Sequence, residues 1–156
     1  MKFDVKQLST LDRAIVGGAG VVFISGFLPW WGYKGSISSL YSASVSGWSA
    51  GFTAWAGVLL LTLAGVVLVL RRSGVQLPAL PVTPTLLVAA AALLGVVLVL
   101  IRWLTLPRVS GGLAGSIGAR YGIYVALIAA VVETGAAIAE LRASGEPLPW
   151  QQPQNV

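Results

Sequence analysis

Apolar residues fall along the chain in four blocks: Ala14 to Trp31, Phe52 to Leu70, Leu86 to Leu104 and Gly118 to Leu141. Each is long enough, at about 1.5 Å per helical residue, to cross roughly 30 Å of hydrocarbon. In lipid a helix satisfies its own backbone hydrogen bonds, which an open strand cannot. Start and stop signals frame the blocks. Ser9-Thr10-Leu11-Asp12 has capping-box spacing before the first, Pro29 sits near its end, and Arg71-Arg72 closes the second. Pro81 and Pro84 precede the third block, and Pro107 follows it. The pattern predicts an all-α membrane protein, a bundle of four transmembrane helices forming one domain over residues 1–143.

Between the blocks the pattern changes. From Gly32 to Gly47 the chain is rich in Ser and Gly, and Tyr41, Ala43 and Val45 alternate with Ser42, Ser44 and Ser46. That period of two predicts a strand in a short extracellular β-hairpin between the first and second helices. Residues 73–85 read as a proline-containing connector. Residues 144–156, with three prolines, read as a disordered cytoplasmic tail. The sequence Gly-Val-Val-Leu-Val-Leu occurs at Gly65 and again at Gly95. The two copies lie in spans of opposite direction, so apolar low complexity explains them better than duplication. The first apolar run continues past Leu28 into Pro29-Trp30-Trp31 with no small-residue cleavage site directly behind it. A retained helix is therefore expected, not a cleaved signal peptide.

Composition sharpens the membrane reading: of 156 residues 56% are hydrophobic and only 10% charged, whereas soluble domains carry about 25% charged residues. Cysteine and histidine are both absent. Disulfides, thiolate nucleophiles, imidazole bases and the usual zinc, haem and iron–sulfur ligands go with them. No phosphate-binding loop is present, and nothing stands near the hydroxyls to activate them. The expectation is a protein without enzymatic activity, cofactor, metal or nucleic-acid partner.

Charge gives the bundle a direction. Ten Lys and Arg against five acids leave a formal +5. With the N-terminus inside, Lys2, Lys6, Arg13, Arg71, Arg72 and Arg142 are cytoplasmic, and Lys34, Arg102, Arg108 and Arg120 are outside. The adjacent Arg71-Arg72 pair on a short loop favours that choice. It implies a multi-pass cell-membrane protein with both termini in the cytoplasm. Trp30, Trp31, Trp48, Trp55, Trp103, Tyr121 and Tyr124 then form one belt at the outer interface.

Two features could carry function. Lys34, Arg102, Arg108 and Arg120 stand at the outer end without an acid, accompanied by Trp30, Trp31, Trp48 and Trp103. Interfacial anchoring accounts for such residues, and so does a site for anionic lipid, a lipid-linked polymer or an acidic partner. Arg102 shares a helix face with Ala92, Gly95 and Val99, so its stem is expected to run along the bundle. Glu133 is the second feature. It lies near mid-membrane on a ridge with Gly118, Gly122, Ala126 and Ala130, and should face a helix–helix contact. Arg13, Arg71, Arg72, Thr62 and Thr134 are its candidate partners. Gly47/Gly51, Gly111/Gly115 and Gly118/Gly122 have the Gly-x-x-x-Gly spacing that suits packing within the bundle or a homo-oligomer. The leading expectation is an accessory or scaffold protein that engages envelope lipids, a membrane-protein partner or itself. The alternative is a small proton- or cation-linked transporter or channel subunit that uses Glu133.

Leu11-Asp12-Arg13, the span ending Phe27-Leu28-Pro29-Trp30-Trp31-Gly32, and Gly47-Trp48 with Gly51-Phe52 together resemble a group of small four-helix membrane proteins of high-GC Gram-positive bacteria, themselves largely uncharacterised. The likeness covers about the first 70 residues well and the remainder mainly in hydropathy. It implies a cell-membrane location and no particular activity. A looser likeness to claudin-type proteins lacks their two loop cysteines, and nothing is carried over from it.

Overall fold

The computed structural model describes residues 4–34, 43–111 and 115–151. Four helices dominate: α1 Thr10–Ser25, α2 Phe52–Arg72, α3 Pro84–Thr105 and α4 Tyr121–Ser144. α1 packs on α2 and α4, and α3 packs on α2 and α4, so the helices close a ring. α2, α3 and the helical stretch from Tyr121 are long and apolar enough to cross a membrane. Their outward faces stay apolar: Phe52, Leu63, Leu93, Leu104 and Ile128 are all exposed. Water would penalise such a surface, and lipid would not.

Small residues set the spacing between helices. A Cβ on Gly57 would stand 3.0 Å from the Gly95 carbonyl oxygen, and one on Gly95 would stand 3.1 Å from that of Gly57. α2 and α3 therefore meet backbone to backbone. Gly65, first residue of the other copy of the repeated hexapeptide, instead faces Ala19 of α1. The two copies serve different helix pairs, as expected of similarity without duplication.

The first and fourth helices differ from expectation. α1 ends at Ser25, and the residues expected to complete it form a strand, β1 Pro29–Lys34. Backbone bonds from Gly26, Phe27 and Leu28 to Val22, Ile24 and Ser25 close the last turn. Trp30 Nε1 then donates to the Ser25 carbonyl at 2.7 Å, a second bond to the oxygen that already accepts from Leu28. Gly118 belongs to a strand as well, so α4 begins three residues later than predicted, at Tyr121.

The expected hairpin is half of something larger. β1, β2 Ser44–Ser46, β3 Val109–Gly111 and β4 Gly115–Ala119 form one antiparallel sheet in the order β2-β1-β4-β3. β1 pairs with β4 from Trp31↔Ala119 to Lys34↔Ser116, which joins the α1–α2 connection to the α3–α4 connection. Tyr41 and Ser42, part of the predicted strand, lie outside the described residues, as do Lys2 and residues 152–156. The sheet caps one end of the bundle, and α1 begins and α4 finishes at the other. Residues 145–151, read from sequence as the start of a disordered tail, contain a short helical turn, Pro149–Gln151, and Glu146 bonds back to Arg71.

None of the Gly-x-x-x-Gly pairs lies within one helix. Gly47 is in the turn after β2 and Gly51 caps α2 at φ +113°. Gly111 and Gly115 lie on the facing strands β3 and β4, and Gly118 and Gly122 straddle the β4–α4 junction. Spacing by four has no common face outside a helix, so these pairs form no helix-dimer ridge. Trp30 is 0% exposed, and added Cβ atoms on Gly47 and Gly122 would come within 2.6 and 2.9 Å of its ring. Trp30→Ala should therefore cost about 3–5 kcal/mol, read as a fall in thermal midpoint in detergent, whereas the exposed Trp150→Ala should leave the midpoint unchanged.

Candidate functional site

The sheet end carries the arginines. Arg102, in the last turn of α3, is half-buried on the face of Ala92, Gly95 and Val99, as its register predicts. Its guanidinium lies over Gly51, about 3.5 Å from where a Cβ there would stand. Its Nε is buried with no hydrogen-bond partner among the described residues. Arg108 stands over the Trp103 ring, 5.2 Å from the centroid, and donates to the Trp103 carbonyl at 3.2 Å. Trp103 in turn meets Tyr124 of α4 edge-on. Arg120 is the N-cap of α4, and its Nη2 donates to the Tyr33 carbonyl at 3.4 Å. A 180 Å³ recess lined by Gly32, Ser116, Gly118 and Arg120 opens there on the sheet.

The tryptophans divide into two groups. Trp30 is interior and holds the cap together, so it presents no ligand surface. Trp31 donates to the Pro107 carbonyl at 3.2 Å and ties β1 to the α3–β3 connection. Trp48 packs against Phe23 and Phe27 over Gly26. The indole N–H groups of Trp48 and Trp103 are buried without an acceptor among the described residues. Lys34 ends β1 beside Ser116, and its side chain lies outside the described residues. Arg102, Arg108 and Arg120 thus meet different neighbours at this end: Gly51, Trp103 and Tyr33 respectively.

At the opposite end Arg71 and Arg72 are paired with acids, an arrangement that sequence reasoning missed. Asp12 closes a capping box with Ser9, each side chain accepting the other residue's backbone N–H at 3.1 Å. Arg72 donates to Asp12 at 2.9 Å and to Glu140 at 2.6 Å, joining α1, α2 and α4. Arg71 bonds Thr85 and pairs with Glu146 at 3.5 Å, joining α2 to α3 and the C-terminal stretch. These arginines were expected to serve Glu133 and do not. The available signal was topological: with four alternating helices, Asp12, Arg71, Arg72, Glu140 and Glu146 all fall at one end.

Glu133 does face the interior, at 0% exposure on the buried stripe with Gly122, Ala126 and Ala130. Gly118 of the expected ridge sits in β4 instead. The close neighbour is α1, where a Cβ on Gly18 would lie 2.7 Å from that of Glu133. None of its expected partners reaches it. Thr134 donates to the Ala92 carbonyl, Thr62 to that of Val58, and Arg13 is exposed. Both carboxyl oxygens are buried without a partner among the described residues.

No family model, no curated protein and no solved structure matches the chain. Because Asp12 is only 1% exposed, Arg72→Met should destabilise the protein by about 1–3 kcal/mol, the cost of an orphaned buried acceptor. Thermal unfolding in detergent should show Asp12→Asn to be less damaging in the Arg72→Met background than alone, the signature of a coupled pair.

Proposed function

We propose that this is a four-pass protein of the cell membrane with both termini in the cytoplasm. It acts as a non-enzymatic accessory or scaffold protein whose outer cap holds anionic phospholipid headgroups. α1 is shorter than the other spans. Its 16 residues reach about 24 Å at the helical rise, and the bonded turn through Leu28 carries the apolar chain to the interface. The sheet, with its arginines and the exposed Trp55, Tyr121 and Tyr124, suits headgroup depth.

One contrast supports the lipid reading. Arg71 and Arg72 at the inner end have their acids, whereas the outer end has none: all five acids of the chain are Asp4, Asp12, Glu133, Glu140 and Glu146. Arg102, Arg108 and Arg120 are left with backbone carbonyls, an aromatic face and buried N–H groups lacking acceptors. Phosphate oxygens supply both the negative charge and the acceptors. Arg102 is the residue placed to bind most directly, with Arg108 and Arg120 completing the field.

Two measurements test this. The chain has no cysteine, so single Ser116→Cys and Ser144→Cys variants report topology cleanly. An impermeant maleimide should label the first in intact cells and the second only after permeabilisation; the reverse pattern would invert the bundle. Native mass spectrometry of the detergent-purified protein should show phosphatidylglycerol retained over phosphatidylcholine. The preference should fall about tenfold or more in the Arg102→Gln/Arg108→Gln/Arg120→Gln variant. Equal retention by wild type and variant removes the lipid reading and leaves an acidic protein partner to be sought.

A further inference from the structure

The recess on the sheet is walled by polar side chains that the packing of the cap leaves idle. β1 and β4 run antiparallel, with Gly32 opposite Gly118, Tyr33 opposite Ile117 and Lys34 opposite Ser116. Arg120 follows the last residue of β4 with extended backbone, so the alternation of the strand carries through it. Ser116, Gly118 and Arg120 therefore share one face. From there Arg120 folds back along the strand pair. Its Nε lies 3.0 Å from where a Cβ on Gly32 would stand, and its Nη2 donates to the Tyr33 carbonyl at 3.4 Å. By register this brings the guanidinium abreast of Gly118 and one position short of Ser116. Gly32, Ser116, Gly118 and Arg120 all line the same open recess of 180 Å³.

Glycine at position 118 answers to no demand of the fold. Nothing stands within 4 Å of a Cβ added there, and its φ is not positive. Gly32 is the contrast, since an added Cβ would meet the Ala43 carbonyl oxygen at 2.7 Å. Glycine inside a strand weakens it, and marks places where a ligand or another backbone comes close. Among the described residues no backbone fills the space over Gly118. We propose that this recess seats one phosphate group, gripped by Arg120 and Ser116 with Gly118 as its floor.

The donors decide the class of ligand. A guanidinium carries five N–H donors, and the one side-chain hydrogen bond of Arg120 among the described residues goes to Tyr33. The Ser116 side chain is exposed and makes no hydrogen bond among the described residues. Lys34, at the register position opposite Ser116, adds positive charge to the same stretch. No acid competes: Asp4 and Asp12 belong to the other end, and Glu133 lies about 20 Å from Arg120 along α4. A carboxylate presents both oxygens to one guanidinium and would leave Ser116 unserved. Phosphate directs oxygens to several sides, and takes the guanidinium on one and the hydroxyl on another. At 180 Å³ the recess is smaller than the roughly 300 Å³ at which pockets for whole small molecules begin, so it holds a group. That group can belong to a lipid headgroup or to a soluble phosphate ester. Neither Arg102 nor Arg108 lines the recess. Such a seat needs only the sheet, and neither the bilayer nor the topology proposed above.

Isothermal titration of the detergent-purified full chain with inorganic phosphate tests the seat. Wild type should show one saturable site per chain, and Arg120→Gln should abolish it. Gly118→Val fills the recess without a clash and suits a strand. It should keep its thermal midpoint and still weaken phosphate binding about tenfold or more. Ser116→Ala should weaken binding about two- to tenfold, as loss of one hydrogen bond does. Arg102→Gln/Arg108→Gln, which keeps Arg120, should bind phosphate as wild type does, so this seat and the headgroup reading can fail separately. Native mass spectrometry of Gly118→Val then identifies the source of the group. Phosphatidylglycerol lost together with phosphate binding assigns the seat to a lipid headgroup, and unchanged retention assigns it to a soluble ester. No saturable binding of phosphate by wild type, or binding by Gly118→Val equal to wild type, would overturn the proposal.

Discussion

The bond from Trp30 Nε1 to the Ser25 carbonyl, 2.7 Å long and fully buried, organises the whole sheet end. It caps α1 where the apolar sequence would have let the helix continue. The turn that follows sends the chain back across the bundle as β1, whose Trp30 carbonyl accepts from Arg120 N at the threshold of α4. Gly47 and Gly122 leave room for the ring, so the β2–α2 turn and the first turn of α4 close on it. Two loops far apart in sequence thereby become one sheet. Arg120, between β4 and α4, is tied to that sheet through its backbone bond to Trp30, and Arg102 is held independently on α3.

Charge follows from the same layout. Three contacts between arginines and acids cross-link α1, α2, α4 and the C-terminal stretch at one end, and the bond from Arg71 to Thr85 adds α3. Asp12 serves twice, as capping carboxyl and as ion-pair partner, which pins the first turn of α1 to the last turn of α2. The other end has cations and no acid. Ion pairs at one end and acid-free cations at the other make the bundle asymmetric along its axis, with Arg102, Arg108 and Arg120 at one membrane surface under the proposed orientation.

Between the ends, close approach of backbones replaces large side chains as the packing device. Gly57 with Gly95 and Gly18 with Glu133 bring helix axes nearer than Leu or Val would permit. The α1–α4 contact differs from the other in having a carboxyl at its centre. A buried acid with no partner is costly to fold around.

The hydrophobic periodicity by itself determined the helices of the middle of the chain. α2 and α3 begin and end within two residues of the predicted bounds, because Pro84 and the Arg71-Arg72 pair are local signals. Burial of Glu133 and the half-buried stem of Arg102 were also legible, since both follow from helical register. Tertiary structure decided the rest. Trp30 and Gly118 look like span residues to any local window. The indole bond to Ser25, five residues back, and the long-range pairing of β1 with β4 take them out of helices. The partners of Arg71 and Arg72 were likewise set by which helix ends meet, with acids 60 to 75 residues away in sequence. Register along one element is a local property; the company a side chain keeps across elements is not.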